Sequence, residues 1–482
     1  MASIETPAHE VVWKHFYKIC SIPHISKHEE KLAAYICDFA KQLSLDCRKD
    51  PAGNILVTKN ATSGLEDRPG LILQAHLDMV PQKNENIIHD FLIDPIKPYI
   101  DGDWLRAQNT TLGADNGIGV SYILAILESQ TIMHGPIEAL FTVDEEAGMS
   151  GALGIKPGFL QGRRLVNLDT EDDREIIIGC AGGKDCTATS SYQEETPDNT
   201  YSAYSLTVKG LKGGHSGIDI NLGRANAIKL LFRLLYAGAS NCNLRISSIH
   251  GGTIRNAIPR EATAVIMIQK DRTSKLKTIV DDLGQAFNTE YQGIENEIQI
   301  ECVSYQSPCN VLPNTAQQAL LRSIYACPNG VIRMSNHMRD FVETSTNLGI
   351  VHCDNGTISV NCLLRSSVES AMTDLQNTLY CALTQGNFNV TFTGGYPGWA
   401  PNPDSSLLKS VAGVYEAEYG RKPDIMAVHA GLECGIIGAQ YPDMESISCG
   451  PTIKYPHSPD ERVSVSSVNK FWQFLVKILE SI

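Results

Sequence analysis

Residues of the types that bind metal ions recur along the 482-residue chain. They are His76, Asp115, Glu145, Glu146, Asp169 and His457. Each lies at or just beyond the end of an apolar, strand-like run, or in a Gly/Pro-rich loop, where side chains from distant segments can converge. Two imidazoles with several carboxylates suit a pair of zinc or manganese ions better than a structural zinc bound by thiolates. The pattern is typical of a two-metal hydrolase.

The spacing of these residues suggests how they share the chemistry. His76 and Asp78 are two apart at a strand end, so their side chains point the same way and the carboxylate can orient the imidazole. The adjacent Glu145 and Glu146 must point in different directions, which would give one to a metal and one to the attacking water. Which glutamate has which role stays open at this point.

Asp115 lies in the segment LGADNG. The flanking glycines permit an unusual backbone that would let one carboxylate reach two ions. The simpler interpretation is a turn-forming Asp that caps the next helix. The presence of the other ligand types favours the metal site.

Short apolar runs alternate with helical segments and must position these residues. The strand-like runs are 54–59, 71–74, 137–143 and 164–168, and 117–130 has the character of a buried helix. This alternation predicts an α/β fold with a mainly parallel sheet, in which ligands collect beyond the carboxyl ends of the strands. Between two helices in 10–43, Ser26 and Glu29 have the spacing of a capping box.

The long gap between Asp169 and His457 predicts an inserted domain. From about residue 187 the sequence changes to alternating strands and an amphipathic helix without a comparable Asp/Glu/His cluster, and 394–399 has the composition of a return linker. We therefore predict a discontinuous catalytic domain, 1–185 with 394–482, and an inserted α+β domain at 186–393.

Composition excludes several classes of partner. A formal charge of −14 without a dense Lys/Arg stripe argues against nucleic acid. No apolar run reaches the roughly 20 residues that span a bilayer. The start, MASIETPAHE, lacks the features of a signal peptide, and the fourteen cysteines are scattered, which together predict reduced thiols in a cytoplasmic protein.

Ten segments of the chain form a distinctive series: LQAHLDMV, TTLGADNGIG, LFTVDEEAGMSGA, VNLDTED, GLKGGHSGIDIN, IRNAIPREA, LRSS, GGYPGWAPNPDS, HAGLECG and GPTIKYPHSPDERV. In this order they resemble the M20 family of co-catalytic zinc peptidases. The resemblance covers almost the whole chain and is greatest to the family's dipeptidases. It implies a zinc-peptidase catalytic domain into which the second domain is inserted as a lid.

The resemblance also assigns the metal site. It implies His76 and Asp169 on one zinc, Glu146 and His457 on the other, and Asp115 bridging both, with manganese or cobalt as possible substitutes. Glu145 becomes the general base and acid, and Asp78 the partner that orients His76.

Within the inserted domain, the resemblance implies that His215 stabilises the oxyanion. It also implies that Asn256 and Arg365 hold the terminal carboxylate of the substrate, the arginine as a bidentate donor. Glu433 in HAGLECG is a candidate for lining the end that receives the free amino group. Taken alone, His215, Asn256 and Arg365 have simpler interpretations as a packing histidine, a turn residue and a strand charge.

The expected activity is hydrolysis of unblocked dipeptides, including Xaa-His, by a homodimer. An N-acyl amino acid deacylase of the same clan and a non-catalytic peptide-binding protein remain alternatives, as does a hydrolase that uses one of the cysteines. The preferred dipeptides depend on pocket shape, which the sequence does not reveal.

Overall fold

The chain forms two compact units in a computed structural model that describes residues 10–306 and 310–482. The first unit contains the described residues up to Cys180 together with Trp399–Ala427 and Leu432–Ile482. The second contains Ala181–Gly398 and Val428–Gly431.

The amino-terminal part of the first unit alternates helices and strands. Its helices are α1 (Glu10–Cys20), α2 (Glu30–Gln42), α3 (Ala114–Glu128), α4 (Glu145–Gly148) and α5 (Ser150–Gly154). Its strands are β1 (Asp46–Lys49), β2 (Ile55–Lys59), β3 (Leu71–His76), β4 (Pro98–Asp101), β5 (Trp104–Ala107), β6 (Ile137–Thr142), β7 (Arg164–Asn167) and β8 (Glu175–Cys180).

The second unit is built from antiparallel strands and four α-helices. Its strands are β9 (Gly182–Ser191), β10 (Tyr201–Lys209), β11 (Gly214–His215), β12 (Arg245–Gly251), β13 (Ala257–Ile258), β14 (Ala262–Gln269), β15 (Gln299–Ser304), β16 (Gly330–Met334), β17 (Val342–Asp354), β18 (Thr357–Ser366) and β19 (Asn389–Tyr396). Its helices are α6 (Ala227–Cys242), α7 (Thr273–Glu290), α8 (Asn314–Ala326) and α9 (Glu369–Thr384), and Ile220–Leu222 and Lys270–Arg272 form 3-10 turns.

The first unit is completed by the carboxy-terminal segment. Its elements are α10 (Ser406–Tyr419), β20 (Asp424–Val428), α11 (Glu433–Gln440), β21 (Glu445–Ser448), β22 (Ile453–Lys454), β23 (Arg462–Ser464) and α12 (Val465–Ser481). Among the described helices, none is long and apolar enough to cross a membrane.

An eight-stranded sheet in the order β1-β2-β6-β3-β7-β21-β8-β20 organises the first unit. The four central strands, β6, β3, β7 and β21, run parallel, whereas β1, β2 and β8 join antiparallel. Strand β3 is buried along its whole length and α3 is buried on nearly every side, as expected for a parallel sheet covered on both faces. The predicted α/β fold is confirmed, and the carboxyl ends of β3, β6 and β7 lie side by side.

A nine-stranded sheet forms the second unit, in the order β15-β10-β14-β12-β17-β18-β9-β19 with β16 paired to β17. Its core includes leucines of α6, such as Leu231 and Leu235, packed with sheet residues such as Ile266 and Val360. Helix α6 begins where the Asn226 side chain accepts hydrogen bonds from the backbone N–H of Ile228 and Lys229.

The unit boundaries differ from the predicted 186 and 393. Strands β9 and β19 pair as far as Gly183 and Tyr396, so the predicted boundaries would cut through a strand pair. The predicted return linker, 394–399, therefore begins inside β19. Residues Val428–Gly431 also group with the second unit, although they are far from it in sequence.

Candidate metal centre

Three parallel strands deliver most of the predicted ligands to one edge of the sheet. His76 is the last residue of β3 and lies directly beside Thr142, the last residue of β6. Glu145 and Glu146 follow β6 in the short helix α4, and Asp169 lies two residues beyond β7. The carboxyl ends of parallel strands thus bring these side chains together as expected.

Asp115 joins the two imidazoles. Its Oδ1 is 3.1 Å from His76 Nε2, and its Oδ2 is 3.3 Å from His457 Nε2. His76 Nε2 also lies 3.2 Å from Asp169 Oδ1, and His457 Nε2 lies 2.8 Å from Glu146 Oε1. Ligand atoms of His76, Asp115 and Glu146 fall within 4.8 Å of one another. The five predicted ligands therefore form two groups that share Asp115.

The backbone around Asp115 is irregular. Gly113 has a φ of +71°, and Asp115 and Asn116 depart from helical dihedral angles at the start of α3. A residue with a Cβ is strained at such a positive φ, so glycine is favoured at position 113. The side chain of Asn116 donates to Asp169 Oδ1 at 2.6 Å, which links this loop to another predicted ligand.

Electrostatics at the cluster favour cations. Hydrogen bonds to Asp115 and Glu146 raise the pKa of His457 to about 11. Burial alone would lower the pKa of His76, but Asp169, Asp115 and Asp78 together raise it well above its ordinary value. Both imidazoles thus act as cations that neutralise neighbouring carboxylates. Divalent metal ions can take over this neutralisation, and the nitrogen and oxygen donors fit such ions.

Asp78 connects His76 to the glutamate pair. His76 Nδ1 lies 3.1 Å from the backbone oxygen of Asp78 and 3.4 Å from its carboxylate. The two oxygens of that carboxylate accept from the backbone N–H of Glu145 at 2.9 Å and of Glu146 at 3.1 Å. Asp78 therefore fixes the imidazole so that Nε2 faces the other ligands, and it also holds the start of α4.

The predicted capping box at Ser26 and Glu29 is wrong. Ser26 Oγ donates to Asp78 at 2.8 Å, and Glu29 accepts from the backbone N–H of Asp144 at 2.9 Å. Neither side chain caps α2, which has no side-chain cap. Both residues instead support the segments that carry the predicted ligands.

Glu145 interacts electrostatically with the candidate ligands and has a strongly perturbed carboxyl group. Burial raises its pKa well above the usual value, while His76 opposes the rise and Asp169, Glu433 and Glu146 add to it. A carboxylate with a raised pKa can both accept and return a proton near neutral pH.

His215, in the second unit, has a defined tautomer. Its Nδ1 accepts from the backbone N–H of Gly217 at 3.2 Å and of Ile218 at 3.1 Å. Burial and Arg365 lower its pKa, so the ring is neutral and carries its proton on Nε2. His215 can therefore act as an N–H donor through Nε2.

Arg365 is buried in the second unit with an incomplete set of partners. It is 5% exposed, and Nη1 donates to the Tyr396 hydroxyl at 3.4 Å. Its Nε has no hydrogen-bond partner, and none of the described carboxylates forms an ion pair with the guanidinium. A buried cation without a counter-ion is suited to an anionic ligand.

His429 lies near the Arg365 guanidinium and was not among the predicted site residues. Burial and then Arg365 lower its pKa to about 3, its Nε2 lies 2.7 Å from Ser345 Oγ, and its Nδ1 is buried without a partner. Asn256, the third residue predicted to bind substrate, has an exposed side chain, and its backbone oxygen accepts from Ser216.

Comparisons with known proteins identify the family. The model of peptidase family M20/M25/M40 matches residues 72–481. The chain belongs to this family. It is 43% identical to the cytosol non-specific dipeptidase of Escherichia coli, over 100% of this chain and 99% of that protein.

Two solved structures are similar to the chain. The crystal structure of aminoacylhistidine dipeptidase from Vibrio alginolyticus is 45% identical, has a TM-score of 0.96, and covers 100% of this chain and 98% of that chain. A tripeptidase from Staphylococcus aureus shares the fold at 16% identity, with a TM-score of 0.56 and coverage of 98% of both chains. The resemblance to M20 peptidases predicted from the sequence is confirmed.

Glu433 does not have the position predicted for it in this M20 chain. It is fully buried, and its Oε2 accepts from Gln74 Nε2 and Thr142 Oγ1, both at 2.6 Å. Burial raises the pKa of Glu433 to about 8. Because none of its surface is accessible, the structure does not support the predicted contact with a substrate amino group. Glu433 belongs to a polar network beneath His76.

Glu461 contacts the loop that carries Asp115 and was not among the predicted residues. It lies four residues after His457, is 2% exposed, and accepts hydrogen bonds from consecutive backbone N–H groups of the Asp115 loop. The only sequence signal was its place in the segment PHSPDERV, because backbone donors leave no trace in a sequence.

Proposed function

We propose that this M20 peptidase is a metal-dependent dipeptidase that hydrolyses unblocked dipeptides, Xaa-His among them. One observation carries the proposal: two histidine-carboxylate groups share Asp115, with Glu145 beside them. The full-length similarity to two dipeptidases supports the substrate class.

His76, Asp115 and Asp169 would hold one metal ion, and Asp115, Glu146 and His457 the other. Zinc suits this donor set, with manganese or cobalt as substitutes. When bound, such ions supply Lewis-acid polarisation and lower the pKa of water.

The residues around the ions divide the proton transfers and the positioning. Glu145 removes a proton from the attacking water and returns it to the departing amine, for which its raised pKa is suited. Asp78 keeps His76 in the tautomer and orientation needed for binding.

The second unit contains hydrogen-bond donors and a cationic side chain, in contrast to the carboxylates of the first unit. We assign to His215 Nε2 the hydrogen bond to the developing oxyanion, which the acceptor role of its Nδ1 supports. We assign to Arg365 and Asn256 the carboxylate terminus of the dipeptide, which the unpaired buried guanidinium supports. A requirement for a free carboxyl terminus would direct cleavage to the carboxy-terminal peptide bond rather than to internal bonds.

A substrate panel tests the proposed function. Metal-loaded protein is offered free dipeptides including Xaa-His, the same dipeptides amidated at the carboxyl end, and N-acetyl amino acids. Cleavage of the free dipeptides, with poor cleavage of the other two sets, is expected. Cleavage of the acetylated amino acids alone would identify a deacylase, and binding of dipeptides without cleavage would identify a peptide-binding protein.

We further propose a cytoplasmic homodimer. The name of the Escherichia coli relative supports the location, and the family resemblance supports the assembly. Light scattering on purified full-length protein measures the mass, and a monomeric mass would exclude the homodimer.

A further inference from the structure

Both carboxylate oxygens of Glu461 accept hydrogen bonds from the backbone of the Asp115 loop, residues 112–115. Oε2 accepts from the N–H of Leu112 at 2.6 Å and of Gly113 at 2.9 Å. Oε1 accepts from the N–H of Ala114 at 2.8 Å and of Asp115 at 3.3 Å. Four consecutive backbone donors therefore converge on one buried carboxylate.

The segment that carries Glu461 also carries His457. The backbone N–H of Glu461 bonds to the oxygen of Ser458 at 3.0 Å, which closes a short turn after His457. The next residue, Arg462, begins β23, which pairs with β5. The position of Glu461 is thus fixed from both sides, and His457 is held close to it along the chain.

We infer that Glu461 is a positioning residue that holds the Asp115 loop and the His457 segment at the separation needed for metal binding. The inference rests on the proposed function, because it assigns Asp115 and His457 as metal ligands. Glu461 itself is not a ligand, since both of its oxygens are engaged by backbone donors.

The hydrogen bonds to Glu461 lie at the start of α3, where the backbone that carries Asp115 departs from helical geometry. The first N–H groups of α3 lack partners within the helix, and the positive end of its dipole favours a carboxylate there. The Asp115 backbone departs from helical geometry, so helix formation alone does not fix its side chain. The Glu461 carboxylate, which lies in the same segment as His457, supplies that constraint by accepting hydrogen bonds from the backbone N–H groups of the Asp115 loop.

A purely structural helix cap is the competing explanation, and a matched control separates the two. Glu445 also accepts backbone N–H groups at a helix start, from Ser406 at 2.7 Å and Leu407 at 3.3 Å, and takes no part in the metal cluster. Glu461→Gln and Glu445→Gln each replace one capping carboxylate by an amide of nearly the same shape.

The experiment measures zinc affinity of the metal-depleted full-length protein by competition with a chromophoric chelator, alongside thermal unfolding. Glu461→Gln is expected to weaken zinc binding about 10- to 100-fold, the range for residues that orient metal ligands. Glu445→Gln is expected to lower the unfolding temperature while zinc affinity stays at the wild-type value. Equal zinc affinity in Glu461→Gln and wild type would overturn the inference.

A second variant covers failure of Glu461→Gln to fold. Glu461→Asp keeps the charge but withdraws the carboxylate by one methylene, so weaker zinc binding than wild type supports the inference and unchanged binding overturns it. Wild-type turnover of dipeptides is measured in parallel. Its absence would sink the proposed function, whereas the zinc affinities would still decide the role of Glu461.

Discussion

The candidate metal centre of the first unit differs from a group in the second unit, here called the Arg365 cluster, in how fully its polar atoms are hydrogen-bonded. The Arg365 cluster consists of Arg365, His429, Ser345 and Tyr396. In the metal centre, each imidazole faces two carboxylates within 3.3 Å. In the Arg365 cluster, Arg365 Nε and His429 Nδ1 are buried without partners among the described residues. An unpartnered buried polar group costs about 1–3 kcal/mol. The first group is a candidate cation site whose proposed ligands all lie within one unit. In the second group, Arg365 Nε lacks an acceptor that an anionic ligand can supply.

The two clusters also respond differently to their charges. Carboxylates raise the pKa of both His76 and His457, whereas burial and Arg365 lower the pKa of His215 and His429. His76 and His457 are therefore positively charged in the metal-free protein, and binding of metal ions would displace their protons. His215 and His429 in the second unit are neutral, and each can act as a hydrogen-bond donor or acceptor.

The largest expected effect comes from Glu145→Gln. Removal of the proton-transfer group is expected to lower turnover of dipeptides by about 100- to 10,000-fold. Metal content should not change, because Glu145 is not among the proposed ligands. The comparison uses Glu128→Gln at the far end of α3 as the control, with metal analysis of both proteins. Wild-type turnover in Glu145→Gln would remove Glu145 from the mechanism.

Arg365→Ala tests the anion site. Loss of a buried partner for a carboxylate costs about 2–5 kcal/mol, so the kcat/KM for free dipeptides is expected to fall roughly 30- to 4,000-fold, mainly through KM. Amidated dipeptides should be affected far less. Arg233→Ala, which removes an arginine paired with Glu290 on the surface of the same unit, is the control. Equal losses on free and amidated dipeptides would contradict a carboxylate clamp.

Asp78→Asn tests whether Asp78 orients the proposed metal ligand His76. The amide can no longer accept equally from Glu145 and Glu146, and His76 loses its anionic neighbour. Zinc affinity is expected to fall about 10- to 100-fold. Asp103→Asn, at hydrogen bonds to Ser464 and Ser466 away from the cluster, should bind zinc like wild type. Similar affinities for both variants would show that Asp78 is dispensable.

The smallest effect concerns protons. The pKa of His457 is raised to about 11 in the metal-free protein, so its protonation stabilises the folded state. This contribution is fully present at pH values below the ordinary pKa of histidine and is lost as the pH rises towards 11. Metal binding near neutral pH must displace such protons, about two per chain if both imidazoles release one. Calorimetric titration with zinc in buffers of different ionisation enthalpy counts them. Buffer-independent enthalpies would contradict the charged imidazoles.

Much of the metal centre followed from the sequence because parallel strands end at one edge. His76, Asp169 and the glutamates after β6 each follow an apolar strand, so their convergence was predictable from local pattern alone. Asp115 and His457 were also candidates by residue type, but the family resemblance was needed to assign them to particular ions, because they lie in loops whose paths are set by tertiary contacts.

Other features of the site left little trace in the sequence. Glu461 and Ser26 act through backbone donors or through a distant carboxylate, and such partners exist only after the chain has folded. His429 belongs to the short segment Val428–Gly431 of the second unit, although the longer segments on both sides of it belong to the first. Glu433 follows a pattern typical of function, yet its burial makes it part of the internal polar network.

Metal depletion and restoration tests the central claim most directly. Full-length protein is stripped with a chelator, and zinc, manganese or cobalt is added back singly while a free dipeptide is the substrate. The expected result is loss of turnover on depletion and recovery with zinc, reaching a plateau at two ions per chain. Unchanged turnover of the stripped protein would contradict a metal-dependent dipeptidase.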